Sequence, residues 1–484
     1  MHESKFLLAS IILFYHRKYL SWYSLKSLLL HVPYIKNKIT SNALQLEQSL
    51  NTSYTNYNRL PIKKLSLREV LEKTDSITNK SNKEHISGII YHNNDHHIND
   101  MAAVFKKFAS SNPLHPDIFP EIREMEIDII QMVRTMFNGD DNVCGNVTSG
   151  GTESILLAIY SYREWGRKEH GITRPNIVAF HSVHPAFDKA CHYFGIKIKK
   201  ISSLLRMKMS IDWNTICVVG SAPTYGYGIV DPIYQMADHC YFRNVPFHVD
   251  CCMGGFLMPF LENNPVSFKT KGITSISADS HKYGNCFKGS SILLFKSWKY
   301  KQHQHFIKTD WEGGMYATPT LLGSKSGALI ATTWASMLLT GEEKYTQIAR
   351  SIQTATLKIC DAFRENKDIE VIGEPYVNIV AFASKKHDIY KIASFMEKWN
   401  LSILTNPFAF HFCITSVHTD SIIDEFISNL KEAIRKTKES PESSLTGTLA
   451  IYGSAAKVEN SLFTSNVVNY YIGLLSSRNI FKLT

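Results

Sequence analysis

Ile273-Thr274-Ser275-Ile276-Ser277-Ala278-Asp279-Ser280-His281-Lys282-Tyr283-Gly284 leads, after a short loop, into Ser291-Ile292-Leu293-Leu294-Phe295. The first six residues have strand character, and the last five form a second apolar run. Between them sits a polar knot ending in Lys282-Tyr283-Gly284. A lysine at the end of a buried strand is an expensive placement. Its ammonium is strongly hydrated, and burial favours the neutral amine. A neutral, positioned amine is what a Schiff-base enzyme needs. The same residues also fit a surface lysine in a strand-to-strand turn, and the stretch alone does not separate the two.

Upstream residues bear on the choice. Gly145-Asn146-Val147-Thr148-Ser149-Gly150-Gly151-Thr152-Glu153-Ser154 opens a helix expected from Ile155 to about Trp165. A glycine pair before a helix start can cradle an anion, because free N–H groups and the helix dipole both favour negative charge. A tight turn with a Thr cap would read the same way, and neither the P-loop nor the dinucleotide fingerprint is present. Strand-like runs then alternate with helical stretches at Asn176–Phe180, Ile216–Gly220, Pro246–Asp250 and Ile273–Ala278. This is the α/β pattern of an open, mostly parallel sheet, whose ligands lie beyond the strand C-termini. His184, Tyr225, Asp250 and Lys282 all fall after such ends. A strand-end carboxylate can keep a pyridine nitrogen protonated, so that the ring accepts electrons. A histidine can lie flat against a ring face. An anion cradle, His184, Asp250 and Lys282 in this order point to pyridoxal phosphate, and they are hard to explain together as core.

The chain has 484 residues and a net charge of +10. Residues 1–80 hold 12 Lys and Arg against 5 Asp and Glu, so seven of those charges sit at the N-terminus. The rest is nearly balanced, which argues against a nucleic-acid surface on the body. Nine cysteines without a CxxC pair form neither a disulfide framework nor a metal-ligand pattern, so a reducing compartment is expected and no metal. Phe6 to Tyr15 is an apolar run followed by His16-Arg17-Lys18. Ten residues are short for a bilayer span. The basic residues with Trp22 and Tyr23 suit a membrane interface, so residues 6–30 are expected to associate with the endoplasmic reticulum or another membrane and keep the body on the cytoplasmic side. A helix packed on the body or a partner is the other reading. A capped helix is expected near Leu65 to Leu71 with Ser66 as N-cap, and another from about Glu121 to Phe137. The tail is expected to regain order at Ala450 to Ala455.

Taken together, these residues resemble the sphingosine-1-phosphate lyases, of the wider pyridoxal phosphate-dependent decarboxylase group with the aspartate-aminotransferase-like (type I) fold. The likeness runs from about Leu60 to Ala455, through Ser87–Tyr91, Asn112–Pro120, Val147–Ser154, Ser182–Lys189, His248–Phe256, Ser275–Ser291 and Asp310–Ser324. The resemblance implies a homodimer with shared active sites. It also implies retro-aldol cleavage of a long-chain base phosphate to a fatty aldehyde and phosphoethanolamine. By the same resemblance Lys282 is the Schiff-base lysine, Asp250 the pyridine-nitrogen partner and His184 the ring-stacking histidine. Gly151, Thr152 and His281 match the cofactor-phosphate contacts, and Gly323 and Ser324 the contact lent by the second subunit. Tyr91, Asn112, His115 and Lys288 match positions around the substrate, with Tyr225 or Tyr227 beside them. Tyr91, Tyr225, Tyr227 or Lys282 would move protons, and His115 would act at the substrate phosphate. Departures are His92-Asn93 where Trp-Gly is usual, Phe287 where Pro is usual, and Lys325 where Arg is usual.

The implied organisation is a membrane-associating segment over 1–38, a linker over 39–60 and an N-terminal segment over 61–120 contributing to the site. A large cofactor-binding domain over 121–341 follows, then a small C-terminal α+β domain and tail over 342–484. An amino-acid decarboxylase of the same fold would share Lys282 and Asp250 but would need a carboxylate site. Lys288 with Asn112 and His115 favours a phosphate. A non-catalytic scaffold would not need the full set of site residues.

Overall fold

The computed structural model describes residues 60–77, 82–439 and 472–473. The expected membrane segment, the linker up to residue 59 and the tail at Ala450 to Ala455 lie outside the described residues. The chain divides into two units, Met1–Asn82 with Ser440–Thr484, and Lys83–Glu439. In the first, helix α1 (Leu67–Ile77) is capped by Ser66 as expected. Glu69 N donates to Ser66 Oγ at 3.3 Å, and Ser66 N donates to Glu69 Oε2 at 2.7 Å, a reciprocal capping box.

The second unit is built on a seven-stranded sheet. Its strands are β1 (Cys144–Thr148), β2 (Asn176–Phe180), β3 (Lys197–Ile201), β4 (Thr215–Ser221), β5 (Phe247–Asp250), β6 (Ile273–Ala278) and β7 (Ser291–Phe295). They lie in the order β1-β7-β6-β5-β4-β2-β3. Strands β2 to β6 are parallel, and β7 runs antiparallel to both its neighbours. Helices α2 (Asp95–Lys107), α3 (Pro120–Met136), α4 (Gly151–His170), α5 (Ala186–Phe194), α6 (Leu204–Ser210) and α7 (Ile233–Arg243) accompany the sheet. The four expected strands are present. Strand β3 went unread because Lys-Ile-Lys-Lys-Ile is a charged edge strand, the type that blunts edge pairing.

Packing follows the binary pattern. From α4, Ile155, Leu157, Ala158 and Tyr162 pack with Ile177, Ile216, Val219, Leu293 and Phe295 of the sheet. Burying a side chain of this size contributes about 1.5–3 kcal/mol. Because β2, β4, β5 and β6 are parallel, the segments carrying His184, Tyr225, Asp250 and Lys282 leave the sheet at the same edge.

After the short helix α8 (Trp298–Lys301), strands β8 (Phe306–Trp311) and β9 (Gly314–Thr318) form an exposed hairpin. Helix α9 (Gly327–Phe363) is two helices joined at Gly341, whose φ of 67° is left-handed backbone that glycine adopts without strain. A four-stranded antiparallel sheet follows, with β10 (Glu370–Val371), β11 (Ile379–Ala383), β12 (Ser402–Thr405) and β13 (Phe408–Cys413) in the order β10-β11-β13-β12. Helices α10 (Ile389–Ser394) and α11 (Asp420–Glu439) complete it. Its core is aromatic: Phe412 stacks on Phe426 with ring centroids 4.3 Å apart, and Trp399 meets both rings edge-on.

Candidate active site

A cavity of about 490 Å³ opens at the C-terminal edge of the large sheet. Its lining includes Tyr91, Gly150, Gly151, Thr152, His184, Tyr225, Asp250, Asp279, His281 and Lys282. Four strand ends and one helix start converge there, so each polar side chain is aimed by a rigid element.

Helix α4 begins at Gly151, and no side chain caps it. Gly150 has a φ of 154°, and a Cβ at Gly151 would lie 2.7 Å from both Asp279 carboxylate oxygens. Only glycine lets the backbone come this close. Glu153 braces the turn, accepting from Ser149 N at 2.6 Å and from Leu321 N at 3.1 Å. The uncapped start of a 20-residue helix at the cavity wall is a ready anion site. His281 Nδ1 and Asp279 Oδ1 are buried without a hydrogen-bond partner, and both residues line the same cavity.

Lys282 follows β6, and its Nζ lies 2.9 Å from Asp279 Oδ2. This corrects the expectation of a neutral amine. Burial does push Lys282 down, but Asp279, with smaller contributions from Cys252 and Tyr91, outweighs it and holds the ammonium above the usual lysine range. Burial likewise pushes Asp279 up, and Lys282 and His281 together keep it below the usual carboxylate range. Asp279 is the residue that reading the sequence missed. Its signal was the Asp-x-x-Lys spacing in a turn, which brings the two heads together.

Asp250 ends β5 and is 7% exposed, with Oδ1 accepting from Cys252 N at 3.1 Å. His184 Nδ1 accepts from Ala186 N at 3.1 Å, so the neutral ring carries its hydrogen on Nε2. The two tyrosines left open by the sequence separate here. Tyr225 lines the cavity, edge-on to His411 at 4.9 Å and to His184 at 6.4 Å. Tyr227 turns aside and donates to Asn406 O. Tyr91 is buried, and its phenol is pushed up by that burial and by Cys413, so it stays protonated at neutral pH. Lys288 is exposed, with Nζ 4.4 Å from the centre of the Tyr91 ring. Desolvation first, and the Lys282 charge second, lower it to about 8. Tyr283, beside Lys282, ties the loop to the small sheet, donating to Ile414 O and accepting from Asn378 Nδ2, both at 2.7 Å.

Asn112, His115, Gly323 and Ser324 do not line this cavity. Asn112 Nδ2 donates to Ser324 Oγ at 3.0 Å, and His115 is exposed on the same turn. The His92-Asn93 departure lines a separate polar cleft of about 990 Å³, which Asn285 also borders.

The donor set fits a phosphorylated pyridine aldehyde. The helix start and His281 suit the phosphate, Asp250 a protonated ring nitrogen, His184 a ring face, and Lys282 a carbonyl carbon.

Comparison with known proteins agrees. Residues 81–385 match the pyridoxal-dependent decarboxylase conserved domain. Sphingosine-1-phosphate lyase 1 of Rattus norvegicus is 36% identical over 472 residues, covering 92% of this chain and 83% of that protein. The sphingosine-1-phosphate lyase of Saccharomyces cerevisiae is 34% identical, covering 90% and 79%. The structure of a sphingosine-1-phosphate lyase from Burkholderia pseudomallei superposes with a TM-score of 0.77 at 32% identity, covering 84% of this chain and 98% of that one. A glutamate decarboxylase from Lactobacillus brevis shares the fold, with a TM-score of 0.69 at 17% identity, covering 82% and 97%.

Proposed function

Because this chain belongs to the sphingosine-1-phosphate lyases, within the pyridoxal-dependent decarboxylase family, we infer how its residues serve the cleavage of a long-chain base phosphate. The enzyme is a carbon–carbon lyase that uses pyridoxal phosphate and yields a fatty aldehyde and phosphoethanolamine. When bound, the cofactor supplies an electron sink for the pair released as the C2–C3 bond breaks.

The observation that carries the assignment is Lys282 at the wall of the cavity that also holds the bare helix start, His184 and Asp250. Lys282 anchors the cofactor through Nζ. Gly151, Thr152 and His281 would receive its phosphate, His184 would face its ring, and Asp250 would partner its nitrogen. A proton must leave the substrate's C3 hydroxyl, and one must return to C2. We assign both to Lys282, whose amine, once freed by the substrate amine and neutral, would take the C3 proton and return it to C2, while the Tyr91 phenol, which stays protonated at neutral pH, would serve only as a donor. Lys288, over the Tyr91 ring but outside the cavity lining, supplies positive charge toward the substrate phosphate, and Tyr225 lines the cavity.

Asn112, His115, Gly323 and Ser324 lie outside their own chain's cavity. We assign them to the site of a second copy, His115 and Asn112 toward substrate phosphate, Gly323 and Ser324 toward cofactor phosphate. The Asn112–Ser324 hydrogen bond supports their acting as one unit. The large apolar residues left exposed on and after the β8–β9 hairpin, Ile307, Trp311, Met315 and Leu321, support a homodimer. Membrane contact is assigned to residues 6–30 on their basic and aromatic composition. Among the described residues no helix is long and apolar enough to cross a membrane.

The test is direct. Purified protein should show a near-visible cofactor band that Lys282→Ala abolishes, and it should release aldehyde from sphingosine phosphate. Carbon dioxide from an amino acid, with no aldehyde from the lipid, would make it a decarboxylase instead.

A further inference from the structure

Beneath Asp250 lies a run of polar side chains that the cleavage does not consume. His248 and Asp250 are two residues apart on β5 and share a face, as do Ser275 and Ser277 on β6. The register pairs His248 with Ser275 and Asp250 with Ser277. His248, Ser275, Ser277 and Tyr162 of α4 are wholly buried, each 0% exposed. Tyr162 OH donates to Ser275 Oγ at 2.6 Å, and Ser275 Oγ lies 2.7 Å from His248 Nδ1. His248 Nε2 lies 3.3 Å from Ser277 Oγ, which lies 3.5 Å from Asp250 Oδ1. None of these side chains has a buried polar atom without a partner.

The carboxylate dictates the direction of every bond. An ionised carboxylate only accepts. Ser277 therefore gives its hydrogen to Asp250, and its oxygen accepts from His248. That places the imidazole hydrogen on Nε2. Nδ1 is then bare and accepts from Ser275, whose oxygen accepts from Tyr162. Burial lowers His248 to about 4, so the ring is neutral and carries a single hydrogen to place. Polar groups this deep in a sheet cost free energy unless the run is complete, and a complete run rigidifies what it ends on. The last link is the longest, and the carboxylate it meets forms part of the cavity wall.

We propose that Tyr162, Ser275, His248 and Ser277 form a one-way hydrogen-bond chain that positions Asp250, with His248 as the Nε2–H tautomer. The proposal rests on the assignment of Asp250 to the cofactor's ring nitrogen. All four are positioning residues, because none of them lines the cavity and the run reaches its wall at Asp250. Cutting the chain therefore weakens the partner that keeps the ring nitrogen protonated.

The experiment compares Ser277→Ala, Ser277→Thr and Asp250→Asn with the wild-type holoenzyme. Cofactor dissociation and the near-visible spectrum are read, together with thermal midpoints. Ser277→Ala should release cofactor about tenfold more readily and shift its band, with little change in midpoint. Ser277→Thr, which returns the hydroxyl, should move both toward wild type. Nitrogen-15 NMR of the cofactor-free protein, with His248→Gln to assign the signal, should show hydrogen on Nε2. Wild-type affinity and spectrum in Ser277→Ala, while Asp250→Asn alters both, would overturn the chain and leave the Asp250 assignment standing. An unaltered Asp250→Asn would overturn that assignment and the chain with it. Hydrogen on Nδ1 in the wild type would overturn the chain even if Ser277→Ala failed to fold.

Discussion

Lys282 carries its charge because of one neighbour. Asp279 sits 2.9 Å away in a site where an unpaired charge of either sign is expensive. Replacing it with asparagine removes the main influence that raises the lysine, and burial then favours the neutral amine. Asp279→Asn should let the cofactor-free protein capture pyridoxal phosphate at lower pH, with the rate at pH 7 rising about tenfold or more. Stopped-flow absorbance from pH 6 to 10 checks this, and an unmoved profile would count against it. The stability effect has a definite sign. Asp279 is lowered from 3.8, so its contribution is present above that value and fades as pH falls through its folded pKa. Lys282 is raised from 10.5, so its contribution is present below that value and fades as pH rises through its folded pKa. Asp279→Asn should therefore cost about 3 kcal/mol in urea unfolding between pH 5 and pH 9, and less toward either extreme.

At the scale of elements, the start of α4 and the loop after β6 matter most. An alanine at Gly151 would put its Cβ 2.7 Å from the Asp279 oxygens and 2.9 Å from Cys252 Sγ. Both belong to strand-end segments that cannot easily give way. Gly151→Ala should lose about 1–3 kcal/mol of stability and much of the affinity for pyridoxal phosphate, read by thermal melts and fluorescence titration. The lysine loop is fastened from its other side by Tyr283. Tyr283→Phe removes its hydrogen bonds with Ile414 and Asn378 and should cost about 1–3 kcal/mol. Hydrogen exchange of residues 279–288 should quicken, and an unchanged pattern would show that the small sheet does not hold the loop.

At the scale of the whole molecule, one chain gathers His184, Asp250 and Lys282 at its cavity and carries Asn112, His115, Gly323 and Ser324 outside it. If the Asn112–Ser324 unit serves a second copy, Lys282→Ala and His115→Ala proteins should each be inactive alone. Mixed and allowed to exchange subunits, they should recover activity, because a mixed dimer holds one site with both residues intact. Light scattering should show twice the chain mass. No recovery in a mixture shown by mass to contain mixed dimers would place His115 outside the shared site.

Much was legible in the chain itself, because the signals are local. Strands β2 and β6 match their expected spans, and alternation with helices makes the sheet parallel and sends its loops to one edge. The glycine cradle, His184, Asp250 and Lys282 were readable because each ends or begins such an element. The spacing of His248 and Asp250, and of Ser275 and Ser277, follows from the two-residue period of a strand. What only the tertiary structure decided depends on partners distant in the chain or on burial. The charge on Lys282 depends on how Asp279 turns back toward it. Tyr225 reaches the cavity and Tyr227 does not, because β13 and the turn at Asn406 receive them differently. The facing of β5 on β6, which joins four polar side chains into one run ending at Asp250, is a matter of register. Register is set by the packed sheet, and no single stretch of sequence contains it.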